Sequence, residues 1–176
     1  VALVHDYINQ LGGAERVFQQ IARLFPHAPI YTVAADPQLA ETLFPGRVIH
    51  TSFLNRFPFP RMRSRHYYAL WLMPLAVEQF EFSGYDLVIS SSSSFAKGIL
   101  TDAHTLHLSY VNTPLRYAWS DYHEARERFP LPRMFGAVVP RFVHYLRLWD
   151  TMAARRPDAI ATNSDYSRRR IEKYYR

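Results

Sequence analysis

Short apolar runs that end in polar residues recur along this chain. Buried strands of a parallel sheet have this composition, because helices cover both faces of such a sheet. Segments with helical spacing separate several of the runs, and strands that alternate with helices predict a doubly wound, Rossmann-like α/β domain. The predicted strands are residues 1–5, 30–35, 47–50, 86–90, 106–111 and 158–162.

Helical periodicity is clearest in three places. Residues 14–25 carry apolar side chains three or four positions apart, and Pro26 stops the helix there. Asp36 followed by Pro37 is typical of a helix start. Residues 132–156 contain the third and longest predicted helix, which we interpret as part of the core.

Ligands of a doubly wound sheet bind beyond the carboxyl ends of its strands, so the turns there form the candidate site. These turns are rich in polar and small residues. We expect them to meet along one edge of the sheet. They are residues 5–13, 34–36, 90–97, 112–117 and 163–167.

The composition indicates one folded domain, residues 1–176, with a basic surface. Hydrophobic residues make up 48% of the chain, and no apolar run is long enough to cross a bilayer. The chain has no cysteine, which excludes disulfides and thiolate chemistry and permits a reducing cytosol. A net charge of +6 predicts an anionic partner, but charge alone does not choose among nucleic acid, acidic lipid and phosphorylated substrates. Because the chain has neither an initiator Met nor a signal-peptide pattern, we expect it to be trimmed at its start.

Arginines and aromatic residues are interleaved in residues 52–82, and two interpretations are open. Such a face suits an anionic membrane surface, with the rings at the head-group level and the guanidinium groups on phosphates. Alternatively, the segment is an insertion whose helix packs on the sheet. The candidate membrane-contact residues are Arg56, Arg61, Arg63, Arg65, Tyr67, Tyr68 and Trp71.

A glycine pair, Gly12 and Gly13, lies directly before the first predicted helix. Glycine lets the backbone approach a phosphate closely, and the free N–H groups and dipole of a helix start favour the negative charge. The pair lacks the GxGxxG spacing and the lysine of known phosphate-binding loops. A phosphate contact and a plain tight turn therefore both stay open.

Three further polar residues lie at predicted strand ends. His5 and Asp6 offer hydrogen bonds to an acceptor hydroxyl, although Asp6 could instead cap backbone amides of the glycine loop. Lys97, after the serine run, is either a phosphate contact or a solvated charge. The chain has no HExxH, cysteine cluster or GxSxG motif, which excludes zinc hydrolysis, thiol catalysis and an α/β-hydrolase elbow.

Four segments, in chain order, resemble glycosyltransferase family 4 of the GT-B superfamily. HDYINQLGGAERV is similar to that family's first strand, glycine loop and first helix, and YDLVISSSSSFAKGI to the fourth strand and turn of its polysaccharide-related members. YVNTPLRYAWSDY resembles their YCHTPMRYAWD segment. DAIATNSDYSRRRIEKYY is similar to the last strand and helix before the crossover to a second domain.

The resemblance implies the N-terminal, acceptor-side half of a retaining GT-B enzyme, with a C-terminal, donor-binding domain expected after residue 176. It places the donor diphosphate near Gly12 and Gly13. Asn112 replaces the family histidine that lies against the donor sugar, and asparagine hydrogen-bonds but does not titrate near neutral pH. Arg116 and Tyr117 match the family and are candidates for acceptor contact, with loop stabilisation as the alternative.

The activity that the resemblance implies is sugar transfer from a nucleotide sugar to a saccharide or lipid-linked acceptor at the cytoplasmic membrane face. Mannose from a guanosine donor is one guess. The resemblance implies no metal and no cofactor, because helix dipoles and basic side chains stabilise the leaving diphosphate. We expect the isolated chain to transfer nothing. Alternatives are a non-catalytic Rossmann-like binding domain and a nucleic-acid-binding module, and no recognisable nucleic-acid-binding motif supports the latter.

Overall fold

The centre of the molecule is a sheet of six parallel strands. The computed structural model describes residues 1–56, 70–122 and 138–175. The strands lie in the order β3-β2-β1-β4-β5-β6, which is the order of a doubly wound, Rossmann-like fold, and the predicted fold class is confirmed. They are β1 (Ala2–Ile8), β2 (Ile30–Ala35), β3 (Ile49–Thr51), β4 (Leu87–Ser92), β5 (Leu106–Val111) and β6 (Ala159–Ala161).

Helices connect these strands in the described part of the chain. Asp36 begins α2 as predicted, because its carboxylate accepts hydrogen bonds from the N–H groups of Gln38 and Leu39. Short 3₁₀-helices follow β3 and β4, at Phe53–Arg56 and Ala96–Gly98. The α-helices are α1 (Gly13–Leu24), α2 (Pro37–Leu43), α3 (Met73–Glu78), α4 (Val138–Ala153) and α5 (Asp165–Tyr174).

The sheet carries a hydrophobic core on each face. Ala2 and Val4 of β1 join a cluster that includes residues of α3 and α4, whereas Leu3 joins a cluster with residues of α1 and α2. Strands buried on both faces are apolar at successive positions, which explains the continuous runs in the sequence. No helix in the described ranges is long and apolar enough to cross a membrane.

The predicted ends of β2 and β5 are correct, whereas β1 and β4 continue beyond their predicted ends. The sequence interpretation ended β1 before Asp6, yet the strand continues to Ile8 and Asp6 is 4% exposed. The serine run likewise extends β4 to Ser92. Several polar side chains of these strands have hydrogen-bond partners in the fold, such as the Ser109 hydroxyl that accepts from Ser90, whereas the Ser92 hydroxyl has none among the described residues.

Candidate functional site

A cleft of about 580 Å³ opens at the carboxyl ends of β1, β4 and β5. The order of the sheet changes direction between β1 and β4, and doubly wound sheets bind ligands at such a switch point. Four of the five predicted turns contribute to the lining, and residues 34–36 do not. The polar and glycine residues of these turns in the lining are His5, Asp6, Tyr7, Asn9, Gln10, Gly12, Gly13, Ser93, Ser94, Asn112, Thr113, Arg116, Tyr117 and Asn163.

The two glycines of the first turn have different surroundings. The Gly12 N–H donates to Oε2 of Glu15 at 2.8 Å, and a Cβ on Gly12 would lie 2.8 Å from the same oxygen. A Cβ on Gly13 would meet no atom within 4 Å. Gly12 is thus tied to the cap of α1, whereas packing does not require a glycine at Gly13 and its backbone faces open space in the cleft.

Glu15 is a cleft residue that the sequence interpretation missed. Glu15 is 6% exposed, and its carboxylate lies at the N-terminus of α1, with Oε1 3.9 Å from Nε2 of His5. Burial alone raises the pKa of Glu15, but the His5 ring and the N–H groups of Gly12 and Glu15 outweigh it, so the pKa is lowered. The sequence signal was present, since a glutamate three residues after the N-cap is typical of a capping box.

His5 and Asp6 reach the cleft, but the fold already uses both side chains. His5 is 2% exposed, stacks on Phe18 with 4.6 Å between ring centroids, and has Nδ1 3.1 Å from the Ser91 carbonyl oxygen. Because a carbonyl only accepts, Nδ1 carries a proton.

The Asp6 carboxylate accepts four backbone hydrogen bonds of 2.5–2.8 Å from residues 93–96. Asp6 therefore caps the serine turn. The alternative expectation, that it caps the glycine loop, is wrong. Two turns of the cleft are joined by this one carboxylate.

Lys97 is buried, so its interpretation as a solvated charge is wrong. Its side chain is 0% exposed, and Nζ lies 2.6 Å from Oδ1 of Asp150. Nζ also donates to the carbonyl oxygen of Ser94 at 2.7 Å. Lys97 does not line the cleft, because these partners hold it beneath the serine turn.

The turn after β5 supplies an exposed charge to the cleft, that of Arg116. The Arg116 side chain is 63% exposed, and its Nε lies 3.9 Å from Asp121, too far for a hydrogen bond. Asn112 is half-buried, and its Nδ2 makes only long contacts, 3.4 Å to Ser91 and 3.5 Å to Ser92. Tyr117 is also half-buried and lines the same wall. This turn can therefore offer cationic and amide groups to a ligand.

The candidate membrane-contact residues are only partly described. Arg56 is exposed at the end of its 3₁₀-helix, and Trp71 is 58% exposed. Arg61, Arg63, Arg65, Tyr67 and Tyr68 lie outside the described residues.

The fold and the cleft define a class, a Rossmann-like α/β domain with a cleft at its switch point. Within the described ranges, no group of three or more His, Asp or Glu side chains could hold a metal ion. Comparisons with protein-family models, curated proteins and solved structures gave no match.

Proposed function

We propose that this chain is the N-terminal, acceptor-side domain of a retaining GT-B glycosyltransferase. The enzyme would move a sugar from a nucleotide sugar to a saccharide or lipid-linked acceptor. One observation carries the proposal: the predicted turns 5–13, 90–97, 112–117 and 163–167, each part of a segment that carries the resemblance, contribute residues to one cleft at the switch point.

In this proposal the donor diphosphate lies on the Gly13 side of the start of α1. The first N–H groups of a helix lack intrahelical acceptors, and they attract anions. The Glu15 carboxylate already holds the N–H of Gly12, and its charge repels a second anion there. Gly13 has open space beside it, which supports an approach of the diphosphate from that side.

Arg116 supplies the positive charge that a diphosphate needs in this cleft. Its guanidinium is exposed and only weakly paired, so it can turn toward the ligand and form charge-assisted hydrogen bonds. Asn112 would orient a sugar hydroxyl without exchanging a proton. The chain's own residues thus bind and orient, and stabilise the leaving diphosphate by electrostatics.

The test is binding and transfer by the full-length protein with GDP-mannose and UDP-glucose. Arg116→Gln is expected to weaken binding by about tenfold, the size expected when a charge-assisted hydrogen bond is lost. Arg23→Gln removes an exposed arginine outside the cleft and is expected to leave the affinity unchanged. Failure of the wild-type protein to bind or to transfer from any nucleotide sugar would refute the proposal.

A non-catalytic nucleotide-binding domain is the second candidate. His5, Asp6 and Glu15, three titratable cleft residues at the end of β1 and the start of α1, are all bound within the fold. A cleft whose acids and bases are already engaged is suited to binding. Tight binding of GDP-mannose without hydrolysis or transfer would favour this candidate.

We extend the proposal to a peripheral contact with the anionic, cytoplasmic face of a membrane. The support from described residues is Trp71 and Leu75, which are 58% and 56% exposed. An indole ring at the head-group level stabilises such contacts. Trp71→Ala is expected to reduce co-sedimentation with anionic vesicles, and equal binding of the wild type to neutral vesicles would contradict the contact.

A further inference from the structure

A buried ion pair, Lys97 and Asp150, lies outside the lining of the cleft and contacts two of the loops that form it. Both side chains are 0% exposed, with 2.6 Å between Nζ and Oδ1. Removing two charges from water is unfavourable, and apolar residues of similar volume often replace such a pair without loss of stability. Stability alone therefore does not explain why an ion pair is buried here. The other hydrogen bonds of Lys97 and Asp150 indicate its role.

The first contact is with the serine turn. Lys97 donates to the carbonyl oxygen of Ser94, and the N–H of Ser94 donates to Asp6. Ser94 lines the cleft. Lys97 and Asp6 thus hold this turn from two sides.

The second contact is with the turn that follows β5. Oδ2 of Asp150 accepts from Nε1 of Trp119 at 2.8 Å and from the hydroxyl of Tyr175 at 2.9 Å. Burial and the charge of Asp150 raise the pKa of Tyr175, so its hydroxyl stays protonated and donates. Trp119 lies three residues after Arg116, whose own side chain has no close partner among the described ion pairs.

We propose that Asp150 is a positioning residue of the cleft. Its carboxylate fixes the serine turn through Lys97 and the turn that carries Arg116 through Trp119. The inference rests on the proposed function, because the ligand of the cleft is taken to be a nucleotide sugar. Loss of the hydrogen bond from Trp119 would move Arg116 away from its binding position, although no side chain proposed to contact the ligand has been replaced.

Two variants separate positioning from plain stability. Trp119→Phe removes one donor to Oδ2 and keeps an aromatic ring against Tyr174, on which Trp119 stacks with 4.6 Å between centroids. Trp149→Phe makes the same substitution at a residue that does not line the cleft, where Nε1 donates to Glu78 and not to Asp150. Both are expected to lower Tm by a few degrees.

The readouts are GDP-mannose affinity and hydrogen exchange in the full-length protein. Trp119→Phe is expected to weaken binding by about fivefold or more and to speed amide exchange in residues 112–121. Trp149→Phe is expected to leave both near the wild type, because its indole N–H is not bound to Asp150. Equal effects of the two variants on affinity, or wild-type affinity in Trp119→Phe, would overturn the positioning role.

The exchange measurement separates this inference from the proposed function. If the wild type binds no nucleotide sugar, the proposed function fails, and the exchange of residues 112–121 still decides the question. Faster exchange there in Trp119→Phe alone supports positioning. The same exchange rate in both variants contradicts it.

Discussion

Single glycines of this chain differ in what an added methyl group would meet. A Cβ on Gly98 would lie 2.5 and 2.6 Å from ring atoms of Trp149, whose Nε1 is held by Glu78 at 2.9 Å. Because the indole is fixed, Gly98→Ala is expected to lower the free energy of unfolding by about 1–3 kcal/mol, as overpacked sites do. Urea denaturation measures the change.

Gly13→Ala is the matched control for that substitution. Its Cβ would meet no atom within 4 Å, so we expect an unfolding midpoint equal to or slightly above that of the wild type. Equal midpoints for the Gly98 and Gly13 variants would show that the contact with Trp149 relaxes freely.

Which polar residues are buried was hard to predict at the residue scale. Lys97 was expected to be a solvated charge, yet Asp150, far along the chain, makes it a core residue. Glu15 was predictable, because its spacing from Gly12 is that of a capping box. Local partners can thus be inferred from spacing, while distant ones require the fold.

At the scale of elements, Asp6 connects a strand with the turn that follows its neighbour. Asp6→Asn keeps the shape but replaces one acceptor oxygen by an NH₂ group that faces backbone donors. We expect the free energy of unfolding to fall by about 2 kcal/mol or more, since buried N–H groups lose a charged acceptor. Chemical denaturation measures the loss, and hydrogen exchange at residues 93–96 should become faster.

Asp102→Asn is the control for Asp6→Asn, because Asp102 is exposed and neutralising it leaves no buried group unpaired. Its stability is expected to remain within about 0.5 kcal/mol of the wild type. Similar stability of the two variants would mean that the serine turn does not depend on the Asp6 carboxylate.

The elements that could be predicted are those whose pattern is uniform. β2 and β5 are apolar or alternate regularly, and their predicted bounds are correct. β1 and β4 continue through Asp6 and the serines, where Asp6 and Ser90 form hydrogen bonds with other parts of the fold in place of water. Sequence patterns report average burial, so strands that carry satisfied polar groups are predicted too short.

At the scale of the whole molecule, the strand order decides which turns meet. The sequence identified five candidate turns, and the order β3-β2-β1-β4-β5-β6 brings four of them to one cleft. The turn after β2, residues 34–36, lies on the other side of β1 and does not line it. Long-range order of this kind follows from the packing of all the helices and is not encoded in any one segment.

The pH dependence of folding is another property of the whole molecule, and it depends on His107 in the middle of the sheet. His107 is 0% exposed, and its Nε2 lies 2.9 Å from the Ser90 hydroxyl. That hydroxyl donates to Ser109, so Nε2–H must donate to Ser90. Nδ1 has no hydrogen-bond partner among the described residues, and a proton there would be a buried, unpaired charge.

Burial lowers the pKa of His107 to about 4, although the nearby Asp158 partly offsets the effect. In the unfolded chain the pKa returns to about 6.5, so between these values only the unfolded state binds the proton. The stabilisation that comes from neutral His107 is fully present above about pH 6.5 and is lost on acidification. The free energy of unfolding is expected to fall by about 2 kcal/mol between pH 7 and pH 5. Urea denaturation at both pH values measures this loss.

His107→Gln is expected to be less stable at pH 7 but to lose about 2 kcal/mol less on acidification, because the glutamine side chain does not bind a proton. The same acid-induced loss in both proteins would assign the pH dependence to other groups.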